Sequence, residues 1–124
     1  MAISPELISS HFPYLPIHLT VRVTQITNIE RDLEALLDTG FDGDVVVPAN
    51  FHSNGHPPEA YVTWALADGS EVVAPIFSGT LSFDGFPLIP VAVTALGDEP
   101  LVGRRAITGL MLTLDHGVRV IVHP

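Results

Sequence analysis

Short β-prone runs, punctuated by glycine-containing turn signals, are the feature that most limits what this chain can fold into. Asp68-Gly69 lies between residues 61–67 and 71–77, and Asp84-Gly85 lies between residues 80–83 and 86–94. Asp-Gly between such runs is a strong hairpin signal, because both central residues of a type I′ turn need positive φ. A third signal, Asp115-His116-Gly117, joins residues 110–114 to 118–122. Upstream, residues 17–24 alternate, with Ile17, Leu19, Val21 and Val23 on one side and His18, Thr20, Arg22 and Thr24 on the other. That is the pattern of a half-buried strand.

Further segments complete an all-β reading. Residues 28–32 are polar enough to turn the chain, and residues 33–37 begin a strand that runs into Asp38-Thr39-Gly40. Val45–Val47 is continuously apolar and ends at Pro48, residues 49–58 and 96–100 read as loops, and Leu101-Val102 is a short buried strand. Pro75, Pro87 and Pro90 cannot donate to a ladder, so their strands should be edges or bend there. Residues 104–108 offer one short helical stretch. Turn spacing of this kind suits a small closed β-barrel or a sandwich.

Composition narrows the functional classes. The 124 residues are 47% apolar, enough for the core of one domain. Fourteen acidic side chains face five arginines and no lysine, a net charge of -9. Without a basic cluster, nucleic acid and anionic membrane are poor partners. The absence of lysine excludes a standard phosphate-binding P-loop, and no Gly-x-Ser-x-Gly elbow occurs. No cysteine is present, which removes disulfides, thiolate metal sites and a cysteine nucleophile. The N-terminal stretch lacks the basic and apolar regions of a secretory signal, so the expectation is a soluble, cytoplasmic protein. His52 and His56 stand four apart, but Ser53, Asn54 and Gly55 between them and Pro57-Pro58 after them argue against a helical metal face. No metal and no cofactor is expected.

The candidate chemistry lies in Ala35-Leu36-Leu37-Asp38-Thr39-Gly40. A carboxylate directly after the apolar residues of a buried strand sits where ionisation is costly. Thr39 adds a hydroxyl, and Gly40 permits close approach of a ligand to the backbone. The plainer alternative is that Asp38 opens a turn and Thr39 caps it.

This segment resembles the active-site strand of the retropepsin-like (retroviral-type) aspartic proteases, in their bacterial and archaeal branch. The similarity continues in register through Val45–Val47, a flap hairpin at residues 61–77 with Leu66-Ala67-Asp68-Gly69-Ser70 near its tip, and Leu101-Val102-Gly103-Arg104. The resemblance implies a barrel domain over residues 17–124 after an N-terminal arm at residues 1–16. It implies an endopeptidase in which Asp38 of two identical subunits shares a water, with Thr39 setting the geometry and Gly40 offering its backbone. Phe41, Asp42, Leu66, Ala67, Asp68 and Gly69 would meet a peptide or protein substrate, with Gly103 and Arg104 as structural support and Arg104 bonded to Asp42. Residues 118–122 would interleave with the partner chain in a homodimer. Trp64 is taken as a packing residue of the flap. Phe41 departs from the small residue usual at its position, and the flap tip is not glycine-rich. The rival expectation is a homodimer of the same fold that binds peptides or assembles without cleaving them.

Overall fold

The computed structural model describes residues 6–51, 53 and 55–124. The strands run β1 (Leu7–Ser9), β2 (Tyr14–Arg22), β3 (Asn28–Asp38), β4 (Val45–Val47), β5 (Ala60–Ala65), β6 (Glu71–Ser82), β7 (Ile89–Ala95), β8 (Leu101–Gly103), β9 (Met111–Asp115) and β10 (Arg119–His123). One 3₁₀ turn, Arg104–Ile107, follows β8. The all-β expectation holds, and the barrel is closed.

Six strands in the order β2-β3-β8-β4-β7-β6 form the barrel, and a second β2–β6 pairing joins its ends. Closure depends on one small residue. Val21 pairs with Gly79, and a Cβ on Gly79 would stand 2.3 Å from the Thr20 carbonyl oxygen. Glycine is required there by close backbone approach. Inside, Leu15, Ile17, Leu19 and Val21 of β2 meet Val45, Val47, Phe77, Leu81, Val93 and Val102. Val46 is also buried, which explains the uninterrupted apolar run: both faces of β4 are covered.

Pro75 and Pro90 sit where a neighbouring strand has run out, whereas Pro87 lies between β6 and β7, outside any strand. Pro75 pairs only with Tyr61 of β5, since β7 joins β6 from Ile76 onward. Pro90 pairs with Thr80, while β4 meets β7 only from Val93. Each lies at a local edge, as a residue without an N–H must.

Several boundaries move. Residues 28–32 belong to β3 instead of turning the chain, and the turn falls at residues 24–27, where Val23 N donates to Thr27 O at 3.0 Å. Glu30, Asp32 and Glu34 are exposed, and they make a strand face look like a loop in the sequence. β6 is continuous through Ser78-Gly79 and serves both hairpins. The turn types also differ from expectation. At Asp68-Gly69 and Asp84-Gly85 only the glycines have positive φ, 87° and 83°. The first is a turn with a glycine bulge, with Gly69 N bonded to Leu66 O and Leu66 N to Ser70 O. The second has the form of a type II turn, with Phe86 N bonded to Phe83 O. The type I′ turn is at His116-Gly117, where φ is 53° and 68°.

Part of the stretch expected as an N-terminal arm is strand: β1 pairs with β10, and β2 already begins at Tyr14. The resulting three-stranded sheet, β1-β10-β9, closes one side of the core with Val120 and Val122. The expected interleaving of residues 118–122 with a partner chain would have to form beside pairings that these residues already make within the chain. Among the described residues both edges of β10 are taken, by β1 and β9, which leaves the unpaired edges of this sheet on those two flanking strands. His52 lies outside the described residues. Among the described residues no helix is long and apolar enough to cross a membrane.

On the outer face of β2, the His18 ring nitrogens meet two carboxylates, Nδ1 with Asp32 at 2.7 Å and Nε2 with Glu30 at 3.0 Å. The hydrogen bond to Asp32, then that to Glu30, raises the His18 pKa above its ordinary 6.5. A raised folded pKa contributes stability that is complete below the unfolded value and is lost as pH rises through the folded value. We predict that stability declines as pH rises from 6.5 through the folded His18 pKa, and that His18→Gln flattens this decline. Urea midpoints measured across that window check it, and identical slopes for both proteins would refute it.

Candidate active site

β3 delivers Asp38 as its last residue, in parallel register with Gly103 of β8. β8 lies between β3 and β4, so the chain leaving Asp38 must cross the end of β8 before it can start β4. The crossing loop, residues 39–44, is laid against the segment after β8. Gly103 N donates to Asp44 O at 2.7 Å, Arg104 N to Phe41 O at 2.9 Å, and Arg105 N to Gly43 O at 3.2 Å. The Asp44 carboxylate also accepts the Ala92 N–H at 2.8 Å, which ties the loop's far end to β7.

Gly103 makes this contact possible. A Cβ there would lie 2.2 Å from Gly43 O and 2.5 Å from Phe41 Cδ2. The Phe41 ring therefore covers Gly103 and reaches Trp64 of β5, with centroids 5.1 Å apart and planes tilted by 52°. Outside the loop, Arg104 Nη2 donates to Asp42 Oδ1, with both side chains largely in solvent. An exposed pair of this kind positions more than it stabilises.

Asp38 is half-buried. Its Oδ1 accepts the Gly40 N–H at 3.0 Å, and the Phe41 N–H closes a turn on the Asp38 carbonyl at 3.2 Å. The carboxylate is thus oriented by its own loop. Among the described residues, no other group bonds it, and the exposed Thr39 hydroxyl has no partner.

Above Asp38 opens a cleft of about 510 Å³. Its floor is Asp38, Gly40, Phe41 and Val46, and the β5–β6 hairpin contributes Trp64, Ala65, Leu66 and Ala67. The opposite wall is Leu96, Gly97, Asp98, Glu99 and Leu101. That wall is fastened to the barrel: Leu96 N donates to Val47 O, Ala49 N to Gly97 O and Leu36 N to Pro100 O, at 2.8–2.9 Å. The Tyr14 hydroxyl donates to Glu99 Oε1 at 2.5 Å, and that carboxylate raises the pKa of Tyr14.

Of the residues singled out in the sequence, the fold gathers Asp38, Gly40, Phe41, Leu66 and Ala67 around one cleft. Asp42 is turned to Arg104, outside the lining. Asp68 and Gly69 also stand outside it, at the hairpin tip. Asp68 Oδ1 accepts the Ser70 hydroxyl at 2.6 Å and the Ser70 N–H at 2.9 Å, bonds that lower its pKa. Asp98 and Glu99 were not foreseen as site residues. Their one signal is an acidic pair held between Gly97 and Pro100. Trp64 packs as expected and also walls the cleft, and its Nε1 is buried with no hydrogen-bond partner.

No family model, no curated protein and no solved structure matches the chain.

The Gly103 contact is testable. Gly103→Ala forces a methyl into the Gly43 carbonyl and the Phe41 ring, and overpacking of this kind costs about 1–3 kcal/mol. A urea midpoint lowered to match is the expected result. An unchanged midpoint would mean that the loop does not lie on Gly103.

Proposed function

We propose that this chain is an aspartic endopeptidase of the retropepsin-like type, working as a homodimer in which each subunit supplies one Asp38. The observation that carries the reading is the seat of Asp38. It ends a barrel strand at the floor of a cleft roofed by a hairpin, with one carboxylate oxygen fixed by Gly40 N–H. Hydrolysis by this route needs a base to take a proton from water and an acid to protonate the carbonyl. Two carboxylates about 3 Å apart cannot both ionise, so they share one proton and divide these roles. The chain has one Asp-Thr-Gly, so a second copy related by a two-fold axis supplies the other. The Thr39 hydroxyl beside Asp38, which has no partner among the described residues, is free to bond across such an axis. No metal or cofactor enters the scheme.

Peptide binding without cleavage is the second reading, supported by the Phe41–Trp64 contact, which joins the hairpin to the Asp38 loop and leaves less of the floor open.

Asp38→Asn keeps the shape of the side chain and cannot act as a base. It should abolish cleavage of denatured protein at about pH 4–6, because the pair then lacks the carboxylate that takes a proton from water. Mixing wild type with excess Asp38→Asn chain should also suppress the remaining activity, through dimers with one competent carboxylate. Undiminished cleavage by the variant would end the proposal. Activity indifferent to mixing would put the whole site in one chain, where Asp98 and Glu99 share the cleft with Asp38.

A further inference from the structure

The cleft combines apolar walls with an unbalanced charge. Asp38, Asp98 and Glu99 line it, and among the described residues no arginine or histidine does. Every ion pair among the described residues lies elsewhere: Arg104 is held by Asp42, Arg119 and His116 by Asp115, His18 by Glu30 and Asp32, His11 by Glu34, and His123 by Glu6. Glu99 is fixed through one oxygen by the Tyr14 hydroxyl, so its position is set before any ligand arrives. Phe41 and Trp64 add aromatic surface to the same lining, and ring faces attract cations.

We propose that the cleft selects extended peptides carrying a lysine or arginine side chain beside the bond that sits over Asp38, with the cationic head at Asp98 and Glu99. This rests on the reading of the cleft as a peptide site. The chemistry fits a long basic side chain in particular. Its methylene stem lies along Leu66, Leu96 and Leu101, while its head reaches the acidic wall. An acidic side chain there would meet uncompensated carboxylates, on a chain whose net charge is already -9. An apolar side chain would fill the walls and leave the carboxylates unpaired.

Trp64 is the only tryptophan, so its emission reports occupancy of the cleft whether or not anything is cleaved. The probes are three peptides with a neutral hydroxyethylene group in place of the scissile amide, alike except for a lysine, norleucine or glutamate beside it. The lysine peptide should bind about tenfold more tightly than the norleucine peptide, the worth of two partly screened ion pairs, and the glutamate peptide most weakly. Raising the salt should shrink the lysine preference. The double variant Asp98→Asn, Glu99→Gln should bring the lysine-to-norleucine ratio close to one, whereas Asp84→Asn on the remote β6–β7 turn should leave it. Asp98→Asn alone, at an exposed loop position, should lower the ratio and covers the case in which the double variant fails to fold. Equal affinities for lysine and norleucine, a ratio that survives the double substitution, or no emission change with any peptide would overturn the proposal. Cleavage is read separately. Lysine preference without hydrolysis of ordinary peptides would refute the catalytic reading alone, and hydrolysis indifferent to charge would refute this inference alone.

Discussion

The placement of β8 between β3 and β4 governs the rest of the molecule. β3 and β4 follow one another in the chain but each pairs with β8, so the chain after Asp38 must pass over the end of β8 before it becomes β4. Residues 39–44 make that journey, and the backbone groups they would otherwise bring unpaired to the barrel end are satisfied by Gly103, Arg104 and Arg105. The contact is backbone on backbone, so it tolerates no side chain at Gly103. The same loop carries Asp38's orienting amide and the Phe41 ring. Barrel topology and the geometry of the carboxylate are therefore set by one contact.

The site pairs a rigid half with a lighter one. Asp38 and the Glu99 wall are bonded to β-strands at several backbone positions. The hairpin is held to the floor largely through Trp64 on Phe41, and β5 lies at the open edge of its sheet. A buried indole N–H without a partner costs about 1–3 kcal/mol, so the contact gives up part of what aromatic packing contributes. Segments that open for ligands are drawn from such weakly held parts of a fold.

Much of this was legible in the residues, and the failures have physical causes. Alternation in Ile17, Leu19 and Val21 and the run Val45–Val47 identified core strands, because burial selects side chains directly. The apolar approach to Asp38 placed the carboxylate correctly at a strand end. Residues 28–32 misled because a solvent-facing strand can carry Glu30 and Asp32 on one side and still pair through its backbone. The hairpin turns were located but given the wrong type, since Asp-Gly fits several turns and only strand register decides among them. Asp98 and Glu99 stayed hidden because an acidic pair between Gly97 and Pro100 does not reveal that a parallel strand pairing brings their loop back over a distant residue. The free edges of the β1-β10-β9 sheet were hidden likewise, because edge or centre is a property of the whole sheet.

The β2–β6 seam has a consequence for how the molecule comes into being. β2 and β3 are made early and can pair at once as a hairpin, yet the other edge of β2 must wait for residues 78–82. Until then Leu19 and Val21 belong to a sheet with an open side. Contacts between segments so far apart in the chain slow folding, and an unfinished sheet edge invites pairing with another molecule. His18 and Arg22 on the waiting strand, and Pro16 just before its seam begins, make that edge a poor template for a stranger. Charged side chains on the outside of β2 and β3 weigh against stray pairing for as long as that edge stays open.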